Sequence, residues 1–287
     1  MADITWLASY PKSGNTWLRV LLANHKRDGD APADINALDD GPIASARVWF
    51  DEWAGVKSSA LSDAVIESCR PEVYRCLARE SKNPLYMKVH DAWGRTNRGD
   101  PLFPPEITAG VVYIVRNPLD LAMSCAHHWG CSPGRAVENL CDSDFALGRS
   151  LGGLSDQLRQ RLGSWSDHLR SWVDLSGLPV HLVRYEDLHR DPEAVFGAIV
   201  RFCGLPDDAG RVRKAVAFSD FSELRRQEQT NGFREHSSSA PGRFFRSGRT
   251  GSWRGELPPE LFRRILADHG ETMRRFGYGE EEPDHGS

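Results

Sequence analysis

Trp6-Leu7-Ala8-Ser9-Tyr10-Pro11-Lys12-Ser13-Gly14-Asn15-Thr16-Trp17-Leu18 is the stretch that decides the fold. Before the proline, Ile4 to Ala8 is a short apolar run that reads as a buried strand. After the glycine, Leu18, Leu21 and Leu22 recur at helical spacing and mark one apolar face. Between the two runs lie a lysine, a glycine and small polar side chains. Strand, small polar loop and helix together make an anion cradle. The first N–H groups of a helix lack internal partners and carry the positive end of its dipole, so they receive phosphate oxygens. Lys12 adds a full charge there. An ordinary strand-to-helix turn with a surface lysine is the plainer alternative, but it leaves the loop chemistry unexplained.

The residue order separates this cradle from the nucleoside-triphosphate loop, in which the lysine follows the second glycine of Gly-x-x-x-x-Gly-Lys-Ser/Thr. Here Lys12 precedes Gly14 and no upstream glycine opens the loop. Tyr10 to Trp17 instead resembles the 5′-phosphosulfate loop of the cytosolic-type sulfotransferases. These enzymes take a sulfuryl group from 3′-phosphoadenosine 5′-phosphosulfate (PAPS) and release the bisphosphate PAP. The usual form of the loop is Tyr-Pro-Lys-Ser-Gly-Thr-Thr-Trp, so Asn15 replaces a threonine. It loses a hydroxyl and keeps a hydrogen-bond donor. The resemblance implies donor binding by Lys12, Ser13, Gly14, Asn15, Thr16 and Trp17, with the indole stacked on the adenine.

Further blocks follow in the family's order. Val111 to Val115 is a continuous run rich in β-branched residues, of the kind buried in a parallel sheet, and it leads into Arg116-Asn117-Pro118. Pro118 is a good first residue for a helix, since its missing N–H would lack a partner anyway. By resemblance, Arg116 and Ser124 hold the donor's 3′-phosphate; a structural ion pair is the alternative for Arg116. Leu85 to His90 alternates at a strand end, so Lys88 and His90 point the same way. The family's Lys-x-His falls on these two, with His90 as catalytic base. An acceptor hydroxyl needs a proton acceptor, and imidazole suits that near neutral pH. Lys12 and Lys88 would neutralise charge around the moving sulfuryl group. Lys12 would also assist departure of the bridging oxygen, with Ser124 restraining it through the 3′-phosphate.

Val180 to Leu188 reads as a strand followed by an acidic turn and matches the family's Tyr-Glu-Asp. It implies Tyr185 as an adenine-side contact, with a core tyrosine as the alternative. Ser219 and Phe221 resemble the pair beside the adenine. Phe244 to Trp253 resembles the loop Phe-x-Arg-Lys-Gly-x-x-Gly-x-Trp, which folds over the 3′-phosphate. That implies Phe245, Arg246, Ser247 and Gly248 as donor contacts. Ser247 stands where lysine is usual, and Arg243 and Arg249 are the neighbours able to replace its charge.

The implied fold is α/β: a P-loop-like three-layer α/β/α arrangement with a central parallel sheet, in one sulfotransferase domain over 1–287. A flexible loop is expected near 230–242, a helix from Glu72 to Arg79, and a solvated acidic tail over 280–287. A net charge of −4 lacks the basic footprint of a nucleic-acid binder. No apolar run approaches the roughly 18 residues of a membrane span. The first strand begins at Ile4 with no leader-like segment before it, so a cytoplasmic protein is expected. Six cysteines without a Cys-x-x-Cys pair read as reduced thiols. His127-His128 near Cys125 and Cys131 fits no standard zinc spacing, so no metal is expected. The resemblance implies a small-molecule acceptor with a hydroxyl; oligomeric state is open, a homodimer included. The start Trp-x-Ala-Ser-Tyr-Pro-Lys is similar to that of bacterial glycopeptide-modifying sulfotransferases. Two other readings are a P-loop kinase-like phosphotransferase and an inactive nucleotide-binding module.

Overall fold

Successive side chains of a strand point to opposite faces, and β1 (Ile4–Ser9) serves two cores in this way. Ile4, Trp6 and Ala8 join one apolar cluster, whereas Leu7 joins another. The computed structural model describes residues 3–38, 41, 43–148, 155–236, 242–246 and 248–279. Among them the strands continue as β2 (Leu85–Val89), β3 (Thr108–Val115), the two-residue pair β4 (Ala146–Leu147) and β5 (Gln160–Arg161), and β6 (Val180–Arg184). The main sheet runs β2-β1-β3-β6 and all of its pairings are parallel. β4 and β5 form a separate antiparallel ladder.

The helices are α1 (Asn15–Arg27), α2 (Arg47–Ala54), α3 (Asp63–Glu80), α4 (Pro118–Trp129), α5 (Pro133–Cys141) and α6 (Trp165–Arg170). They continue as α7 (Tyr185–Arg190), α8 (Pro192–Phe202), α9 (Ala209–Phe218), α10 (Phe221–Asn231), α11 (Trp253–Glu256) and α12 (Pro259–Arg275). On one face of the sheet, Trp6, Met87 and Tyr113 pack with Tyr74 of α3, Cys125 of α4, Leu140 of α5 and Ile265 of α12. On the other, Leu7, Val112 and Ile114 pack with Leu18 and Leu21 of α1, Phe196 of α8 and Val212 of α9. The result is three layers, α/β/α, with the strand ends free to carry a site. Each fully buried Leu, Ile, Val or Phe contributes about 1.5–3 kcal/mol. The buried indole N–H of Trp6 donates to Thr108 Oγ1 at 2.9 Å, so its polar atom is satisfied.

Two expectations change. The helix expected at Glu72–Arg79 starts at Asp63 and passes through Pro71. Proline weakens the turn it interrupts, but here Arg70 in that turn is tied to Asp91 by two bonds of 2.8 Å and to Tyr74 at 3.0 Å. Of the loop expected near 230–242, Thr230 and Asn231 instead close α10, and Gly232–His236 follow as turn and irregular chain. Residues 237–241 and the acidic tail at 280–287 lie outside the described residues. No described helix is long and apolar enough to cross a membrane.

Candidate active site

The loop after β1 turns on two left-handed residues, Lys12 (φ 69°) and Gly14 (φ 107°). Gly14 caps α1, and a Cβ placed there would lie 2.6 Å from Tyr185 Cδ2. Glycine is required twice, by its dihedral and by the tyrosine. Ser13 is fully buried, and its Oγ has no hydrogen-bond partner among the described residues. Lys12 Nζ sits 3.4 Å from the centroid of the Phe244 ring. Burial lowers its pKa to about 7, and the charges of Lys88 and Arg116 add to the effect. A buried ammonium facing an aromatic ring and two other cations is poised for an anion. Asn15 differs from expectation. Its Nδ2 donates to Leu7 O at 2.7 Å and Ser9 Oγ at 3.1 Å, so the side-chain donor braces the loop from within. Its place in the first turn of α1 still leaves the backbone of the cradle facing the cleft, with Thr16 and Trp17 beside it.

His90 follows β2 directly. A hydrogen bond of 2.8 Å joins its Nδ1 to Ser9 O, which makes Nδ1 the protonated nitrogen and leaves Nε2 with its lone pair. Burial first, and then the charge of Lys88, holds the imidazole well below its ordinary pKa, so it is neutral at pH 7. The carbonyl of His90 accepts from His168 Nε2 at 3.0 Å, while His168 Nδ1 accepts from Tyr113 Oη at 2.7 Å. Lys88 lies in the same cleft and pairs with Glu235 at 2.8 Å. Glu235 also bonds Arg19. Burial alone would raise the Glu235 carboxyl, but the charges and hydrogen bonds of Lys88 and Arg19 hold it well below the usual carboxylate range.

Arg116 leaves the end of β3 and lies over the Tyr185 ring, 4.5 Å from its centroid. It donates to Lys12 O at 3.2 Å and Arg249 O at 3.1 Å, joining the cradle to the late loop. No carboxylate among the described residues pairs with it, and its buried Nε is unpartnered. Of its five donors most remain for a ligand. Ser124 lines the cleft from α4. The late loop is held by carboxylates. Asp120 accepts from the backbone N–H of Gly251 at 2.7 Å and Trp253 at 3.1 Å, and Glu228 from that of Phe244 at 2.6 Å and Phe245 at 3.0 Å. Gly248 (φ 59°) accepts from His189 Nε2 at 2.8 Å, and a Cβ on it would meet Phe221 at 2.5 Å.

Phe221, Tyr185, Phe245, Arg246 and Gly248 all line the cleft. Arg246 is exposed and reaches Glu256 at 3.3 Å. Neither Arg243 nor Arg249 lines the cleft, and Ser247 lies outside the described residues. Ser219 is the correction. It is fully buried, its hydroxyl donates to Ala215 O at 2.7 Å, and it is absent from the cleft wall. Its carbonyl instead accepts from Trp17 Nε1 at 2.9 Å, so it orients the indole expected to meet the adenine.

Glu235, Asp120 and Glu228 escaped the sequence reading, which weighed His128 only as a metal ligand. Asp120 carries one signal, an acid in the first turn of a helix; Glu235 sits among polar loop residues and carries none. His128 lines the cleft edge-on to Phe244, with its pKa lowered by burial to about 3. His127 Nε2 donates to Arg243 O at 3.2 Å. No group of three potential metal ligands occurs among the described residues. All six cysteines are free.

Cradle, base and late loop enclose one cleft of about 1410 Å³, larger than the ~300–1,000 Å³ that one small ligand fills. A cleft with room for two reactants at the carboxyl ends of a parallel sheet is where an α/β enzyme carries its active site. The family description for the sulfotransferase domain matches residues 2–277, and the chain belongs to that family. It is 24% identical to human sulfotransferase 2B1 over 99% of this chain and 71% of that protein. Bovine sulfotransferase 1A1 is 27% identical over 88% of this chain and 77% of the relative. The fold is similar to the crystal structure of mouse sulfotransferase SULT7A1 complexed with PAP, at a TM-score of 0.59 and 21% identity, over 95% of this chain and 85% of that one.

Proposed function

We propose that the chain transfers a sulfuryl group from PAPS to a hydroxyl of a small-molecule acceptor, working as one domain with His90 as general base. One observation carries this reading: a neutral imidazole with Nε2 unprotonated lines the same cleft as the lysine-bearing N-terminus of α1. The residues present fit the donor. An unpartnered Arg116 Nε and a depressed Lys12, both on residues that line the cleft, are what an anion site retains before its anion binds.

Bound, the donor supplies a sulfuryl group on an anhydride oxygen that leaves with PAP. Lys12 and the first N–H groups of α1 would hold the 5′ end, and Arg116 with Ser124 the 3′-phosphate. Trp17, which meets Tyr185 edge-on, and Phe221 line the same cleft and offer aromatic faces to the adenine. His90 Nε2 would take the acceptor proton, and the acceptor oxygen would receive the sulfuryl group while the bridging oxygen leaves on PAP. Lys88 neutralises the charge that gathers there, and Glu235 holds Lys88 in position. Positioning and fixed charge supply most of the acceleration. Six free thiols support a reducing, cytoplasmic setting.

Incubating purified protein with labelled PAPS and a panel of phenols, alcohols and sugars tests the reading. Label should move to at least one hydroxyl, and ATP with magnesium should leave the same acceptors unphosphorylated. Phosphoryl transfer from ATP, or failure to bind PAP, would overturn it.

A further inference from the structure

A second wall of the cleft is built from α2 and the segment 155–160, and it is tied to the strand that delivers His90. Ala44 N–H donates to Lys88 O at 2.9 Å, and Ala92 N–H to Arg161 O at 2.7 Å. The two halves of the wall join each other through Arg47 N–H to Asp156 O at 2.9 Å and Leu158 N–H to Ser45 O at 2.7 Å. The wall therefore flanks the base rather than the cradle.

On this wall two cleft-lining cations, Arg47 and Lys57, stand against three cleft-lining carboxylates, Asp51, Glu52 and Asp156. Arg47 donates to Ser155 O at 2.8 Å and Ser58 Oγ at 2.7 Å, and Lys57 lies 3.9 Å from Asp51. Glu52 and Asp156 line the cleft as exposed carboxylates, with no side-chain partner among the described residues. Gln160 is an independent observation. It lines the cleft at 1% exposure, its Nε2 donates to Gln157 Oε1 at 2.7 Å, and its own Oε1 has no partner among the described residues. A buried amide oxygen without a donor is costly unless a ligand or water supplies one. All three unanswered groups accept hydrogen bonds, and two carry negative charge.

Resting on the sulfotransferase reading above, we infer that this wall is the acceptor subsite and selects a polyhydroxylated molecule bearing a protonated amine. A neutral phenol offers one O–H, which His90 deprotonates; it leaves Gln160 Oε1 without a donor and the two exposed carboxylates to water. An amino polyol gives its ammonium to Glu52 and Asp156, one hydroxyl to Gln160 and another to His90. Ile43, Val48 and Trp129 in the same cleft provide an apolar surface for its ring carbons.

Calorimetry on the PAP-loaded protein tests this, with kanamycin as the amine-bearing polyol and 2-naphthol as the neutral phenol. Kanamycin should bind at least about tenfold more tightly, and added salt should erode the difference. The double variant E52Q/D156N should lose about tenfold for kanamycin alone, as expected of two solvent-facing ion pairs. Q160L should lose about fivefold or more for kanamycin, its leucine leaving the ligand hydroxyl unpaired. PAP affinity should stay at its wild-type value in each variant, which also reports correct folding. Equal or tighter binding of 2-naphthol, binding of neither probe, or a kanamycin affinity that survives both variants would overturn the proposal. A wild-type protein that fails to bind PAP would instead overturn the sulfotransferase reading, and this inference with it.

Discussion

His90 and Lys12 carry opposite consequences of the same burial. Burial disfavours the charged form of each. For His90 this is useful, because the base must be neutral: its folded pKa lies well below 6.5, so no histidine limb should appear in kcat between pH 6 and 8. A midpoint near pH 6.5 would contradict that assignment. For Lys12, depressed to about 7 before an anion arrives, charge is gained on binding. Below pH 7 the ammonium is already formed and PAP affinity should be flat. Above pH 7 binding takes up a proton, and affinity should fall as pH rises. Calorimetry at pH 8 in buffers of different ionisation enthalpy should find uptake of about one proton; none would remove the lysine from the donor site. At this scale the sequence is readable where residue type and chemistry coincide, as in Lys12, Lys88 and His90. It misleads at Ser219, whose side chain turns inward while its carbonyl holds Trp17. Glu235 is invisible because it meets Lys88 and Arg19 only through tertiary folding.

Helix α1 and the turn after β2 are the elements on which the site depends. Gly14 starts α1 at φ 107° against the Tyr185 ring, so Gly14→Ala forces both strain and overlap. The substitution should cost at least about 1 kcal/mol of stability and weaken PAP binding, read by melting and calorimetry. Beyond His90, Asp91 is buried against Arg70 with 2% and 3% of each side chain exposed. Removing one member of such a pair leaves a buried charge without its partner. Asp91→Asn should cost about 3–5 kcal/mol, a drop in Tm on the order of 10 °C. A variant that melts within 2 °C of wild type, roughly 1 kcal/mol or less by the same conversion, would show that the pair does not anchor this turn. The strands β1, β3 and β6 were readable as apolar runs, and α1 and α4 as proline- or glycine-signalled starts. The start of α3 was not, because Pro71 reads as a boundary and only the Arg70–Asp91 contact shows why the helix runs through it.

Across the molecule, one parallel sheet gathers the site from distant segments. β1 delivers the cradle, β2 the base and β3 the arginine, all at their carboxyl ends. Each of these segments carries its own chemistry, so donor side and base could be read in advance. The wall formed by residues 43–52 and 155–160 could not. It exists through bonds between distant segments, such as Arg47 N–H to Asp156 O, which leave no local pattern. The central claim is that one cleft holds the sulfuryl donor against His90. Single-turnover transfer from labelled PAPS, with PAP affinity measured on the same samples, tests it in wild type and His90→Ala. PAP affinity should be unchanged and transfer should fall by about 10²–10⁴. Transfer at the wild-type rate in that variant would contradict the account.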